Sequence, residues 1–472
     1  MNGSVTPACV ANRRLGLAAT VGVVAKSKID RQDELLENVV ERLDEEIVRW
    51  LLVQAATDHH DVARAIRLEA ATPDDRLAVL KSMVDGGLRT RRFLDYGESS
   101  GWAMDAAPIV DALATAVETA PSRELVALLE RAIGHVVKVI LHADDSDGMI
   151  GDLARRLLEL HEQICDAGVA DPVALARWMA RFDFDDQDFF NTDPVRYAAA
   201  LGEQGLDIYR AEIAKRPAGE YDFARRYAIE RLAVLDRDVE RIIELLGGEM
   251  TAPHQFIKVA EAMLEIDRPA DALVWARRGI HETTGWQVAK LYDLAAGVLD
   301  DRGDSLAVLD LRREQHQAMA SASTYRLLHR AADAVGAWPA EIQPAREVLG
   351  LRDRGGLVDV LLADGETDAA WSVATSVGPW EPGADRWGRL AEARETTDPA
   401  AAMEVYLRLS DESLVRADRR NYQEAVRHLK SARRAAEAAG HTVEFSQYLA
   451  ALREQHRRRP TLIQMLDKSK LR

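Results

Sequence analysis

Apolar side chains recur every three or four residues over long stretches of the chain, which is the spacing of amphipathic α-helices. The first such stretch predicts a helix at about 33–57. Further helices are predicted at about 107–120, 122–142 and 151–167, with an irregular segment at 89–102 and a short loop at 182–191. No run alternates β-branched and polar residues between turn signals, so we expect strand content near zero. The pattern predicts an all-α fold.

A weak repeat of about 33 residues appears in the second half of the chain. Its copies share small residues, Asp and a following apolar helix pattern, and they begin at residues 267, 301, 364 and, more loosely, 397. Residues 335–341 occupy the place of a missing copy. This period is typical of tetratricopeptide-type helix pairs. We therefore predict an α-solenoid of antiparallel helix pairs that is tetratricopeptide-like in its C-terminal half.

Breaks in the helical pattern divide the chain into four parts. We predict a disordered leader at 1–30, an N-terminal helical array at 31–250, helical repeats at 251–420 and basic capping helices at 421–472. The glycine pair 247–248 supports the middle boundary. Residues 12–25 also have the basic start and short apolar run of a signal peptide. The alternatives are a disordered leader and a start codon that is assigned too far upstream. The residue at which the mature protein begins is therefore left open.

Charge is distributed unevenly along the 472 residues. The net charge of −17 argues against broad nucleic-acid binding, because phosphate repels an acidic surface. Residues 416–472, in contrast, hold 14 Lys+Arg and 6 Asp+Glu, a net charge of +8. This end is either a solvated terminal helix or a docking surface for an acidic partner or nucleic acid. Its candidate residues are Arg433, Arg434, Arg457, Arg458 and Arg459.

The chain has two cysteines, Cys9 and Cys165, which cannot form a disulfide framework or a four-cysteine zinc site. This usage fits a reducing compartment, and no apolar run reaches the length of a membrane span. We expect a cytoplasmic protein that needs no membrane.

Two clusters of aspartates are the candidate interaction sites of the first half: Asp144, Asp145 and Asp147, and Asp183, Asp185, Asp186 and Asp188. If the clusters meet, they could hold a divalent ion or a basic peptide, because grouped carboxylates repel unless they are neutralised. The alternative is that they cap helices or pair with nearby arginines. An EF-hand frame places alanines at two required ligand positions, so we predict no bound metal and no cofactor.

Three segments, 141–161, 182–206 and 448–467, resemble the long helical region that follows the zinc-binding motif of bacterial SWIM zinc-finger proteins and a related family of uncharacterised helical proteins. The order and spacing of the segments fit across about residues 35–470. The Cys-x-Cys and Cys-x-His pairs of that finger are absent from this chain. The resemblance therefore implies a helical scaffold without its finger, and a helicase-like ATPase as a partner by analogy only.

Patterns of nucleophilic, metal-dependent or phosphate-binding catalysis are missing. The tryptophans of the repeat region are predicted to be packing residues: Trp275, Trp286, Trp338, Trp371 and Trp387. We therefore predict a non-catalytic scaffold that mediates protein–protein interaction. The alternative is a nucleic-acid accessory protein that uses the basic C-terminal end, and an enzyme would need both acidic clusters in one site.

Overall fold

The computed structural model describes residues 38–216, 223–378 and 380–471, without the side chains at 60, 61, 73, 74, 185 and 186. The predicted leader therefore lies outside the described residues. Two compact units divide the chain, Met1–Leu232 and Ala233–Arg472. This boundary lies earlier than the predicted division at residue 250. Helices packed against their neighbours along the chain form both units, so the predicted all-α class is confirmed.

Unit 1 is built from consecutive helices, and all but the first, which has no buried residue, contribute to one apolar core of Leu, Val, Ile and Ala side chains. Its helices are α1 (Glu45–Asp58), α2 (His60–Ala70), α3 (Pro73–Gly87), α4 (Tyr96–Thr119), α5 (Arg123–Ile140), α6 (Met149–Asp166), α7 (Pro172–Arg181) and α8 (Ala198–Ala214), and α9 (Phe223–Leu235) contains the boundary to unit 2.

The start of α4 differs from the prediction of an irregular segment at 89–102. A capping box begins this helix at Asp95. The Asp95 Oδ1 accepts a 2.9 Å hydrogen bond from the Glu98 backbone N–H, and the Glu98 carboxylate accepts the Asp95 N–H. These bonds satisfy two of the unpaired donors of the first turn. They outweigh the low helix propensity of Gly97 and Gly101.

The acidic, aromatic segment after α7 is helical at its start and not a loop throughout. Residues Phe182–Asp186 form a single π-helical turn, and an irregular segment follows it. The predicted helix at 33–57 also differs, because a turn at 41–43 precedes α1. Between the named helices of the described part, the only strand-like pairing is an isolated bridge of Leu94 with Ala143.

Unit 2 is an array of helix pairs joined by short connections, so neighbouring helices run antiparallel. After the short helix α10 (Val239–Ile242), the pairs are α11 (Pro253–Glu265) with α12 (Pro269–Glu282), α13 (Val288–Asp301) with α14 (Ser305–Ala318), α15 (Ala322–Ala334) with α16 (Trp338–Arg352), α17 (Arg354–Ala363) with α18 (Thr367–Thr375), α19 (Ala384–Arg394) with α20 (Pro399–Leu414), and α21 (Arg419–Ala439) with α22 (Thr442–Gln455), followed by α23 (Pro460–Lys468).

The turn before α10 and the turns inside the first four of these pairs share one geometry, whereas the turn between α19 and α20 contains no left-handed residue. A residue with left-handed backbone ends the first helix, and the next N–H bonds to the carbonyl five residues earlier, as in a Schellman motif. The left-handed residues are Arg237 (φ 55°), Asp267 (59°), Gly303 (71°), Gly336 (69°) and Gly365 (78°). Three of these turns coincide with the sequence copies at 267, 301 and 364. The turns at Arg237 and Gly336 show that the array begins before residue 251 and includes the missing copy.

The repeat also determines which side chains are buried. Val259, Tyr292, Tyr325 and Val358, each about 33 residues after the last, are 0–2% exposed at equivalent places in the first helix of four pairs. Tyr292 and Tyr325 direct their hydroxyls to charged groups of the same array, Glu314 and Arg346. The buried tyrosines belong to one apolar cluster and Val358 to the next, and the half-buried Leu357 packs against both clusters.

No helix in the described ranges is long and apolar enough to cross a membrane.

Candidate interaction surfaces

The loop before α6 carries the first acidic cluster, and the isolated bridge holds it in place. The Leu94 N–H donates to the His142 carbonyl at 3.0 Å, and the Asp144 N–H donates to the Leu94 carbonyl at 2.9 Å. Asp145 then accepts the N–H groups of Ile150 and Gly151, both at 2.9 Å. Asp145 is therefore committed to the first turn of α6, as the helix-capping alternative predicts.

Asp144 and Asp147 also accept hydrogen bonds from the protein itself. Asp144 accepts the Ser146 N–H at 3.3 Å. The Ser100 hydroxyl donates to Asp147 at 2.5 Å, and the Met149 N–H donates to it at 3.2 Å. These donors, Ser100 above all, lower the pKa of Asp147 below its ordinary value, so it is ionised at neutral pH.

Two aspartates of the second cluster, Asp183 and Asp188, differ in burial. Asp183 is 3% exposed and accepts hydrogen bonds from the Thr192 N–H (2.7 Å), the Thr192 hydroxyl (2.7 Å) and the Tyr209 hydroxyl (2.9 Å). Burial raises the pKa of Asp183 to about 6, although the three donors oppose that change. Asp188 is exposed. The side chains of Asp185 and Asp186 lie outside the described residues.

The two clusters have different partners, which are Ser100 and α6 for the first and Thr192 and Tyr209 for the second. Among the described residues, no group of three His, Cys, Asp or Glu side chains could hold a metal ion. The bonded carboxylates stabilise local structure, and nothing in the described residues joins them to a single site.

The candidate arginines of the C-terminal end mostly have partners within unit 2. Arg433 donates to the Lys470 carbonyl at 3.3 Å, and Arg434 forms an ion pair with Glu395 at 3.2 Å. Arg457 pairs with Glu454, and Arg459 donates to the Leu414 carbonyl at 2.7 Å. Arg458 is exposed. Arg433 joins α21 to the C-terminal residues, Arg434 joins it to the residue after α19, and Arg459 joins the start of α23 to the end of α20. The two carboxylates offset the charges of Arg434 and Arg457.

A basic groove lies between α21 and α23, with a volume of about 640 Å³. Its basic residues are Arg419, Arg427, Lys430 and Lys468, and the rest of its lining is polar or apolar: Gln423, Val426, Thr461, Gln464, Met465 and Ser469. No acidic side chain lines it, although Arg427 pairs with Glu424 at 2.9 Å beside it. The charge excess of residues 416–472 indicated this region, and the groove is lined by basic residues other than the predicted Arg433, Arg434, Arg457, Arg458 and Arg459.

A second groove of about 710 Å³ lies between α19, α20 and α21. Its charged lining alternates in sign: Arg389, Arg420, Arg427 and Arg434 with Asp385, Glu392, Glu412 and Glu424. The ring of His428 stacks on that of Tyr406 at a centroid distance of 6.4 Å. Because both signs are present, this mixed groove does not select a ligand by charge.

Four of the five tryptophans are half-buried packing residues, as predicted. Arg278 lies over Trp275 at 4.5 Å, Trp338 meets Tyr325 edge to face at 5.2 Å, and Trp371 meets Trp387 at 5.7 Å. Trp286 contradicts the prediction because its side chain is 84% exposed. It lies in the loop between α12 and α13 beside Gly285, which has a φ of 115°.

The buried histidine and thiol of unit 1 are structural. The Nδ1 of His161 lies 2.8 Å from the Tyr197 hydroxyl, and its ring packs 4.2 Å from that of Trp178. Cys165 is fully buried, and burial raises the pKa of its thiol to about 12. A thiol that stays protonated and shielded from solvent is a poor nucleophile.

Comparisons with known proteins identify no family. No family model matches the chain, and no curated protein matches it. Among solved structures, the chain is similar to a circular tandem repeat protein with novel repeat topology and enhanced subunit contact surfaces. The sequence identity is 15%, and the match covers 93% of this chain and 91% of that chain, with a TM-score of 0.14.

Proposed function

We propose that this chain is a non-catalytic helical-repeat scaffold that mediates protein–protein interaction. The observation that carries the proposal is the array of unit 2, in which successive helix pairs repeat the same turn from Arg237 to Gly365. Such arrays expose long surfaces built from equivalent positions, and these surfaces typically bind proteins or peptides.

The use of charged and nucleophilic groups supports the same proposal. Asp145 caps α6, Asp183 is bonded in the interior, and Cys165 is buried. A group that takes part in catalysis would instead be exposed in an accessible cleft. In the described residues these groups are distributed among separate structural contacts.

The test is to isolate the tagged chain from its native cells and to identify the proteins that accompany it. Each recovered protein is then purified and mixed with the purified chain on a size-exclusion column. A discrete complex of fixed stoichiometry is the expected result. Repeated recovery of no protein, or no complex with purified components, would overturn the proposal.

The basic groove supports a second candidate function, a nucleic-acid accessory role beside a helicase-like ATPase of the kind that the SWIM resemblance implies. Arg419, Arg427, Lys430 and Lys468 present four cationic groups with no acidic side chain in the lining. Neutralising about four phosphates would make affinity fall about 100-fold between 50 and 200 mM salt.

The test of this second function is binding of labelled single- and double-stranded DNA and RNA by the Lys430→Glu/Lys468→Glu variant. Lys258→Glu is the control, because Lys258 is exposed on α11 and does not line the groove. Binding that the groove variant loses and the control keeps supports the role. Binding that is absent or independent of salt excludes it.

A further inference from the structure

The helices on the two sides of the basic groove, α21 and α23, run in the same direction. The Arg459 guanidinium, just before α23, lies 6.0 Å from the ring centroid of Tyr422 in the first turn of α21. Arg433, about three turns farther along α21, donates to the carbonyl of Lys470 after the end of α23. Both contacts join residues that are 37 positions apart. Each position of α23 therefore lies beside the position of α21 that precedes it by 37.

This register brings three cations together at one end of the groove. Arg427 and Lys430 are three residues apart on α21, so their side chains lie on one face of that helix. Lys468 lies level with position 431 on the facing side of the groove, next to Lys430. Arg419 lies at the other end, about 16 Å from Lys430 at the helical rise per residue. Both helices also begin at that end, near Arg419 and Thr461, so the positive ends of their dipoles add to its charge.

The cations of the groove are available to a ligand. Three of the four, all except Arg427, are exposed and have no ion-pair partner within the described ranges. The carboxylates beside them in sequence are bonded elsewhere. Asp467 pairs with Arg453 at 2.7 Å, and Asp418 accepts the Asn421 N–H at 2.9 Å. The positive charge of the groove is therefore largely uncompensated.

The rest of the lining suits a peptide better than nucleic acid. Gln423 and Gln464 line the groove from opposite sides, and an amide side chain both donates to a peptide carbonyl and accepts from a peptide N–H. Val426 and Met465 supply apolar contact between the two charged ends, and methionine adapts to irregular shapes. None of the described residues that line the groove is aromatic, whereas proteins that hold single-stranded nucleic acid stack its bases on aromatic rings.

The width of the groove determines the conformation of the segment that enters it. The two helices pack against each other, and packed helices lie roughly 8–10 Å apart. A helix with its side chains is about 10–12 Å wide, so it would rest on the rim. An extended chain rises about 3.3 Å per residue, so about five residues span the distance between the charged ends. The groove therefore fits a short extended segment.

We propose that the basic groove docks an extended acidic segment of a partner protein. At one end, carboxylates of the segment pair with Arg427, Lys430 and Lys468. At the other end, a carboxylate pairs with Arg419, and an apolar residue in the middle of the segment contacts Met465. The inference rests on the scaffold function and names the class of segment that is bound. Charge complementarity orients the segment and excludes basic ones.

The direct test measures binding of three fluorescent probes to the full-length chain. The first is a peptide of about eight residues with Asp and Glu on both sides of a central Leu, which exceeds the five or so residues that span the groove. The second replaces Asp and Glu by Lys, and the third is an oligothymidine of the same length. The chain is expected to bind the first probe and to bind the other two at least about tenfold more weakly. No binding of the first probe at about 100 µM, or equal or tighter binding of the oligothymidine, would overturn the proposal.

Matched variants place the binding in the groove. The groove variant carries Lys430→Glu and Lys468→Glu. The control carries Lys258→Glu and Arg458→Glu, which change the net charge equally at exposed positions of unit 2 outside the groove. At physiological salt the groove variant is expected to weaken binding of the acidic probe at least about tenfold, and the control to leave it unchanged. Lys430→Arg with Lys468→Arg keeps the charge and should keep the binding. Equal weakening by the groove variant and the control would contradict the proposal.

Recovery of the native partner separates this inference from the scaffold function. A partner that the wild type and the control recover and the groove variant loses supports both. A partner that the groove variant retains overturns the inference and leaves the scaffold function standing. A partner that nuclease releases from the wild type is held through nucleic acid and also overturns the inference. Recovery of no protein by the wild type overturns the scaffold function itself.

Discussion

The hydroxyl of Tyr209 donates a 2.9 Å hydrogen bond to Oδ2 of Asp183, joining α8 to the π-helical turn after α7. Thr192 supplies two more donors to the same carboxylate. Burial nevertheless raises the pKa of Asp183 to about 6, above the ordinary value of 3.8. The folded state therefore binds a proton at this group more tightly than the unfolded state does.

This difference predicts how stability depends on pH. Between about pH 4 and pH 6 the native state holds the proton that the unfolded state has lost, so the contribution of Asp183 to the free energy of unfolding falls as pH rises, by about 3 kcal/mol. Asp183→Asn should remove that slope, because an amide does not titrate. The Thr192 and Tyr209 hydroxyls can rotate to accept hydrogen bonds from the amide, so the substitution keeps the local contacts. Urea unfolding at a series of pH values measures the free energy of unfolding and its dependence on pH. Asp188→Asn, at an exposed site, is the control, and an unchanged slope in Asp183→Asn would contradict this assignment.

Gly279 is required where α12 approaches its neighbours. A Cβ at Gly279 would lie 2.7 Å from the Phe256 Cβ on α11 and 2.7 Å from the Leu291 Cδ1 on α13. Gly279→Ala should therefore destabilise the protein by about 1–3 kcal/mol, since the helices must separate. Chemical unfolding measures the change in the free energy of unfolding for Gly279→Ala and for the control Gly297→Ala. Gly297 lies on α13 with open space around it, so alanine there should stabilise by about 0.5–1 kcal/mol.

The shared turn geometry predicts a reciprocal pair of substitutions. Asp267 has a left-handed backbone at the place where Gly303, Gly336 and Gly365 serve in other pairs. Asp267→Gly should stabilise the protein by about 1 kcal/mol, and Gly303→Asp should destabilise it by a similar amount. Thermal and urea unfolding report both changes. Opposite signs would show that the turns are not equivalent.

Cys165 reports on the opening of unit 1. It is fully buried, and desolvation, assisted by Glu130, raises the pKa of its thiol to about 12. In a Cys9→Ser background, a thiol reagent at pH 8 should modify Cys165 at least about 100-fold more slowly in the native state than in guanidinium chloride. Rapid modification of the native protein would show that α6 is not packed as described.

Sequence reasoning found the repeat where the turns have recognisable chemistry. The copies at 267, 301 and 364 combine Asp or Gly with a new apolar helix pattern, and these residue types adopt or flank the left-handed conformation readily. The turn at Arg237 was hidden because arginine rarely adopts φ of 55° and gives no turn signal. The copy near Gly336 could be inferred only because the interval between the copies at 301 and 364 is close to two periods.

The candidate surfaces were harder to predict, because tertiary contacts decide which charges and aromatics remain available. Arg433, Arg434, Arg457 and Arg459 all contact protein atoms, and Lys468, from another helix, completes the basic groove. Trp286 was assigned to packing by its residue type, yet it lies in a loop with its side chain exposed. Periodicity reports which face of a helix is buried and says little about loops.

The central claim is that this chain is a scaffold that binds protein. The most direct measurement is affinity purification of the tagged chain from its native cells, with and without nuclease, followed by mass spectrometry of the bound proteins. We predict at least one protein that is recovered in equal amount in both samples, because the contact is made through helix pairs and needs no nucleic acid. Loss of every partner on nuclease treatment would contradict the scaffold and favour the basic groove between α21 and α23 as the functional site.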